Sequence, residues 1–276
     1  MVDAIAIAGH VRTLAHGDAA AKSQAALALW RLMAPAADGE RPRGRARDAI
    51  TAAGATFLLV ELLQSGGAAG ARECAAGALA NLAYNEDNRV AIAAAGGIAP
   101  LVEVVRSGCA GAKGDAAVAL GNLALNDDNR VAIAAAGAIP PLVDFLRSGS
   151  AYEAAFALRI LAHGANKVTI AAAGAITPLV ALMRSGQSKG ATHAQETLIN
   201  LARDNVDNRV LIAEAKGDIK ELVKLARSAS SDAAKNAAAQ FLARRRRSIV
   251  NKCVDGKVPA ELEPTIAACL ARRGFS

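Results

Sequence analysis

Apolar residues recur along this chain with a helical period. Ile98, Leu101, Val102 and Val105 stand at i, i+3, i+4 and i+7, the spacing of one helix face. The same places are held by Ile139, Leu142, Val143 and Leu146, by Ile176, Leu179, Val180 and Met183, and by Ile219, Leu222, Val223 and Ala226. Each set predicts a helix buried along one stripe. Pro100, Pro140 and Pro178 fall in its first turn, where a missing N–H costs nothing. The glycine just before it predicts a left-handed turn that ends a shorter helix. That shorter helix is expected to start at an N-cap asparagine four residues before an isoleucine, Asn88, Asn129, Asn166 or Asn208. After an RSG turn a third helix follows, as in residues 112–126, burying Leu120, Leu123 and Ala124. Its counterparts are Leu79, Leu82 and Ala83, then Leu158, Leu161 and Ala162, then Leu198, Leu201 and Ala202.

One short unit is therefore written several times over. IAAAGAIPPLV recurs as IAAAGGIAPLV and IAAAGAITPLV, with AITAAGATFLLV and LIAEAKGDIKELV as worn copies. The glycines closing the short helices, Gly54, Gly96, Gly137, Gly174 and Gly217, are 42, 41, 37 and 43 residues apart. A period of about 40 to 47 residues belongs to stacked helical repeats. In such a stack, length counts layers and not domains, so the 276 residues are read as one continuous domain. Apolar residues make up 53% of the chain and aromatics only 3%, which suits helices pressed close together by Ala, Leu, Ile and Val. Function is expected on a surface shared by neighbouring units.

The ends are less regular. Ile7, His10, Val11 and Leu14 take the second-helix stripe and residues 19–34 read as a third helix, so residues 1–34 form an N-terminal cap repeat. Arg31 stands where later units have Asn122, and eight extra residues before Gly54 imply a basic, flexible loop over 35–47. Repeats continue over 48–243, and residues 244–276, with a final helix from about Pro264 to Arg273, are expected to cap the last apolar face. Charge gathers at both ends: residues 31–47 carry +3 and residues 235–276 carry +6, out of +7 for the chain. Arg41, Arg43, Arg45, Arg47 and the run Arg244, Arg245, Arg246 and Arg247 are candidate docking or targeting patches, or solvated cap faces.

No catalytic constellation emerges. His10, His16, His163 and His193 occupy unrelated places in their units, and no Cys or Ser recurs beside them. The glycine-rich segments 108–115 and 186–192 lack G-K-[ST] and follow helices, so they read as turns between helices. Cys74, Cys109, Cys253 and Cys269 form no C-x-x-C pair, so neither a disulfide framework nor a metal site is indicated, and no cofactor is expected. The longest uncharged runs fall short of the roughly 20 residues that span a bilayer. No secretion signal is visible, and the expected location is cytoplasmic or nuclear. Phe241 is the one aromatic beside the arginine run, too few for a stacking platform, which disfavours single-stranded nucleic acid as a partner.

One polar feature recurs inside the third helices: Asn81, Asn122 and Asn200, each followed by Leu-Ala. Asparagine is a mediocre helix former, so its repetition mid-helix calls for a reason. One short and two longer helices per unit, with NLAxNxxNRVxIAxAG at the junction, resemble the armadillo repeat, and the wording is similar to the repeats of plant U-box proteins and of the yeast vacuolar armadillo protein, without a U-box here. The resemblance implies an all-α, right-handed α-solenoid whose third helices line a concave groove. It further implies that Asn81, Asn122 and Asn200 hold the backbone of an extended peptide; an inter-helix hydrogen bond that registers the layers is the alternative. Nuclear-import receptors of this fold carry tryptophan four residues before that asparagine, whereas Gly77, Val118 and Glu196 stand here, so recognition of basic import signals is not implied. The fourth unit has Ile160 in the asparagine's place and is the shortened one. The function expected is a non-enzymatic adaptor that holds a protein segment. The alternative is a structural subunit docking through its edges and basic ends.

Overall fold

The computed structural model describes residues 4–33, 43–65, 69–148, 151–186 and 189–216. Arg41, Arg244 to Arg247, Gly217, the stripe from Ile219 to Ala226 and the expected final helix lie outside them. Among the described residues there are helices and no strands. The first unit supplies α1 (Ala4–His16) and α2 (Ala19–Met33). The second has α3 (Arg43–Ala52), α4 (Ala55–Gln64) and α5 (Ala69–Leu82). The third has α6 (Glu86–Ala94), α7 (Ile98–Ser107) and α8 (Ala110–Leu123). The fourth has α9 (Asp127–Ala135), α10 (Ile139–Arg147) and α11 (Ala151–Leu161). The fifth has α12 (Asn166–Ala172), α13 (Ile176–Arg184) and α14 (Lys189–Ala202), and α15 (Val206–Lys216) opens the sixth.

Each first helix turns sharply into the second, by 85° from α6 to α7, 80° from α9 to α10 and 82° from α12 to α13. The turn is made at Gly54, Gly96, Gly137 and Gly174, whose φ values of 75 to 79° lie in the left-handed region where a side chain is strained. Just beyond, the Gly97, Ala138 and Ala175 amides donate to the carbonyls of Ile92, Ile133 and Ile170, which closes the short helix. Those three isoleucines are fully buried under the corner.

The second-helix stripes are buried as their spacing predicts, except that Met183 and, in the first unit, His10 and Val11 are partly exposed. In the third helices every expected Leu-Leu-Ala set is buried except for Ala202, which is partly open. Every third helix packs on the next, α2 on α5, α5 on α8, α8 on α11 and α11 on α14, and on the second helix of its own unit. The core thus runs through the stack as one cluster instead of being divided by unit.

Three expectations are corrected. The capping asparagines of the short helices are Asn85 and Asn126, whose side chains accept from the amides of Asn88 and Asn129, and Asn205 does the same for Asn208. Asn88, Asn129 and Asn208 sit a turn inside, buried, and donate elsewhere: Asn129 to the Arg89 carbonyl at 3.1 Å and Asn208 to the Lys167 carbonyl at 3.3 Å, each one layer back. Asn166 is the first residue of α12, whose cap position is Ala165 and makes no side-chain bond. Sequence spacing alone placed the cap one turn too far in.

The basic loop expected over 35–47 is helical from Arg43 onward, because α3 takes the place of a first helix and buries Ala46 and Ile50. The glycine-rich segments are only partly turns: Gly111 and Gly114 lie within α8 and Gly190 within α14. A Cβ on Gly111 would stand 2.5 Å from Glu73 Oε1, so that glycine serves close helix approach.

Candidate functional site

The stacked third helices form a continuous face, and the three asparagines lie on it unequally. Asn81 and Asn200 are half-buried, and their side-chain amides have no hydrogen-bond partner among the described residues. Asn122 is only 1% exposed, and its Nδ2 donates to the Ala80 carbonyl of the layer before at 3.0 Å. Its amide is therefore engaged with the stack, as the registering alternative holds, while the other two remain open. Next to it, the Phe156 ring of α11 lies against Gly121, where a Cβ would come within 2.6 Å of Cε1. Phe156 stands four residues before Ile160, the place where import receptors carry tryptophan, but it packs inward on a neighbouring glycine. Ile160 is buried at 7% exposure, and Arg31, in the corresponding place of α2, is exposed.

Around this row the face is chemically mixed. Tyr152 and Phe156 of α11 flank the His193 ring of α14 at centroid distances of 5.3 and 5.6 Å. Arg159 stacks over Phe156 at 5.5 Å and faces Glu196 at 3.4 Å. Burial, with Arg159 beside it, holds the His193 imidazole below its usual range. Toward the start of the third helices stand Glu73, Asp115 and Glu153. Burial, then Glu73 and Glu153, push the Asp115 carboxyl up to about 7. The Cys74 thiol is raised too, by burial and then by Glu73 and Asp115. Among the described residues no group of His, Cys, Asp and Glu side chains is placed to hold a metal ion.

Of the basic candidates, Arg45 is exposed and Arg47 is half-buried with its guanidinium 5.4 Å from the Tyr84 ring centroid, a cation–π pair. Of Arg43 only the backbone is described. His163, left without a role by its sequence position, places Nδ1 3.0 Å from the Ile160 carbonyl. Sequence spacing missed the arginines that tie layers together: Arg147 donates to the carbonyls of Ala173 and Gly174, and Arg184 to that of Lys216. Their recurrence in the RSG turn was the available signal.

The helices, corners and interlayer bonds define an α-solenoid of three-helix repeats. The family described as Armadillo/beta-catenin-like repeat matches residues 85–125. Among solved structures, an engineered protein is 30% identical, with a TM-score of 0.67, covering 87% of this chain and 96% of its own. Computationally designed armadillo repeat proteins for modular peptide recognition are 26% identical, with a TM-score of 0.65, over 86% of this chain and 98% of theirs. A designed armadillo repeat protein in complex with the peptide (KR)4 is 25% identical, with a TM-score of 0.64, over the same shares. No curated protein matches significantly. The chain belongs to the armadillo-repeat family.

Proposed function

We propose that this protein is a non-enzymatic adaptor that holds an extended peptide segment of a partner protein along the concave face of its third helices, within the cytoplasm or nucleus. The observation that carries this reading is that Asn81 and Asn200, at equivalent places in α5 and α14, leave their amides unpartnered and half-exposed. A carboxamide so placed offers both a donor and an acceptor to a peptide group. The two designed armadillo proteins, one described as recognising peptides and one bound to a peptide, support the choice of ligand class. In the unbound chain Asn122 keeps the layers in register between these two contacts. A second reading, docking through the solenoid edge, is favoured by the exposed Val90, Val131 and Val168, which repeat at one place in α6, α9 and α12.

The test is selection from a random linear peptide library, followed by hydrogen-exchange mapping of the best binder. The adaptor reading expects protection on α5, α8, α11 and α14. Protection confined to α6, α9 and α12 would overturn it in favour of edge docking.

A further inference from the structure

We infer that the third-helix face selects a segment with two large apolar side chains, one seated on Trp30 and one on Phe156, and excludes lysine and arginine from both places. This rests on the peptide-holding reading and names the side chains that such a peptide carries.

The two rings are placed by one contact that recurs between layers. The asparagine position of the third helices is held in turn by Arg31, Asn81, Asn122, Ile160 and Asn200. At three of the four steps, the residue just before that position meets the residue four before it in the next unit. Trp30 of α2 lies on Gly77 of α5, its Cε2 2.5 Å from the ideal Cβ position. The Phe156 ring of α11 fills the matching notch at Gly121 of α8, its Cε1 2.6 Å from the ideal Cβ. Arg159 of α11 faces Glu196 of α14 at 3.4 Å. At the remaining step the two places hold Ala80 and Val118, and no ring stands there. Residues three and four apart share a helix face, so these contacts line the same face as the open amides of Asn81 and Asn200.

Each ring has one side in its glycine notch and is only half-buried, which leaves apolar surface at the groove. The Trp30 Nε1–H makes no hydrogen bond among the described residues and can donate to a peptide carbonyl.

Charge decides between an apolar and a basic side chain. Aromatic faces attract cations, but Phe156 already carries one: the Arg159 guanidinium stands 5.5 Å from its ring centroid. Arg31 follows Trp30, is exposed and makes no ion pair among the described residues. Glu196, the acid at the end of this row, is engaged by Arg159. A lysine or arginine seated on either ring therefore meets a like charge, whereas leucine, isoleucine, methionine or phenylalanine removes apolar surface from water on both partners. The two rings are two layers apart, about 16–20 Å at the usual spacing of packed helices, which an extended chain spans in about five or six residues.

The experiment selects tryptophan-free linear peptides on the wild-type chain and reads the fluorescence of Trp30, its single tryptophan. The selected sequences are expected to share two large apolar residues about five or six positions apart, and their binding to shift the Trp30 emission to the blue. Alanine at one of the two is expected to weaken binding roughly 10-fold and abolish the shift; alanine at the other weakens it by a similar factor and keeps the shift. Phe156→Leu in the protein is expected to lessen the cost of that second substitution alone. Peptides that protect α5, α8, α11 and α14 from exchange, but lack the apolar pair, carry lysine or arginine there, or leave the emission unchanged, overturn the inference and leave the peptide-holding reading standing. Protection confined to α6, α9 and α12 overturns both.

Discussion

The indole of Trp30 lies where Gly77 has no side chain. A Cβ on Gly77 would come 2.5 Å from Cε2, 2.8 Å from Nε1 and 2.9 Å from Cζ2. Trp30 belongs to α2 and Gly77 to α5, so the only tryptophan of the chain is a spacer-filling ring between two layers. Phe156 against Gly121 repeats the device between α11 and α8. With few aromatics, the stack spends two of them on glycine notches and lets alanine set the remaining spacing.

Gly77→Ala is expected to destabilise by about 1–3 kcal/mol, the usual cost of overpacking, although alanine is the better helix former by about 1 kcal/mol. Gly9→Ala in α1, where nothing lies within 4 Å of the added methyl, is expected to stabilise by about 0.5–1 kcal/mol. Paired thermal or urea melts check the opposite signs.

Asn126 and Asn129 separate capping from stacking. Asn126→Ala removes the bond to the Asn129 amide at the start of α9 and is expected to cost about 1 kcal/mol. Asn129→Ala removes the interlayer bond to the Arg89 carbonyl together with the packing of a buried side chain, for about 1–3 kcal/mol. Urea denaturation of both variants ranks them, the interlayer asparagine costing more.

Arg147 holds the C-terminal carbonyls of α12 from α10, at 3.0 Å to Ala173 and 3.2 Å to Gly174. It is also paired with Asp144 at 2.7 Å. Arg147→Ala is expected to cost only about 1 kcal/mol, because the side chain is well exposed. Native-state hydrogen exchange is expected to show the loss concentrated in α12 and α13, with α6 and α7 unchanged.

The repeat, the two apolar stripes and the left-handed glycines were legible in the sequence because each depends on neighbours a few residues apart. What escaped notice depends on the next layer. Asn88 and Asn129 look like caps when only their own helix is considered, but their carboxamides face across the stack. Gly111 and Gly114 look like turn glycines until Glu73 and Glu153 arrive from α5 and α11. Asn122 shares its local wording with Asn81 and Asn200, and only the position of the Ala80 carbonyl distinguishes it. The expected residues beyond 216, including Arg244 to Arg247, lie outside the described structure.

Ligand length is constrained by the same two open amides. Asn81 and Asn200 are three layers apart, and layers of packed helices are about 8–10 Å apart, so roughly 24–30 Å separate them. An extended chain covers this in about seven to nine residues. Truncating a selected peptide below that length is expected to reduce affinity in one step, when the second asparagine loses its contact; binding titrations over a length series check this.

The most direct test of the account is isothermal titration of one selected linear peptide against the wild-type chain and the Asn81→Ala, Asn200→Ala double variant, with a thermal melt of each. Two lost hydrogen bonds at about 0.5–1.5 kcal/mol each predict a Kd weakened roughly 5-fold to 150-fold, at nearly unchanged Tm. An unchanged Kd would contradict the proposed peptide-holding face.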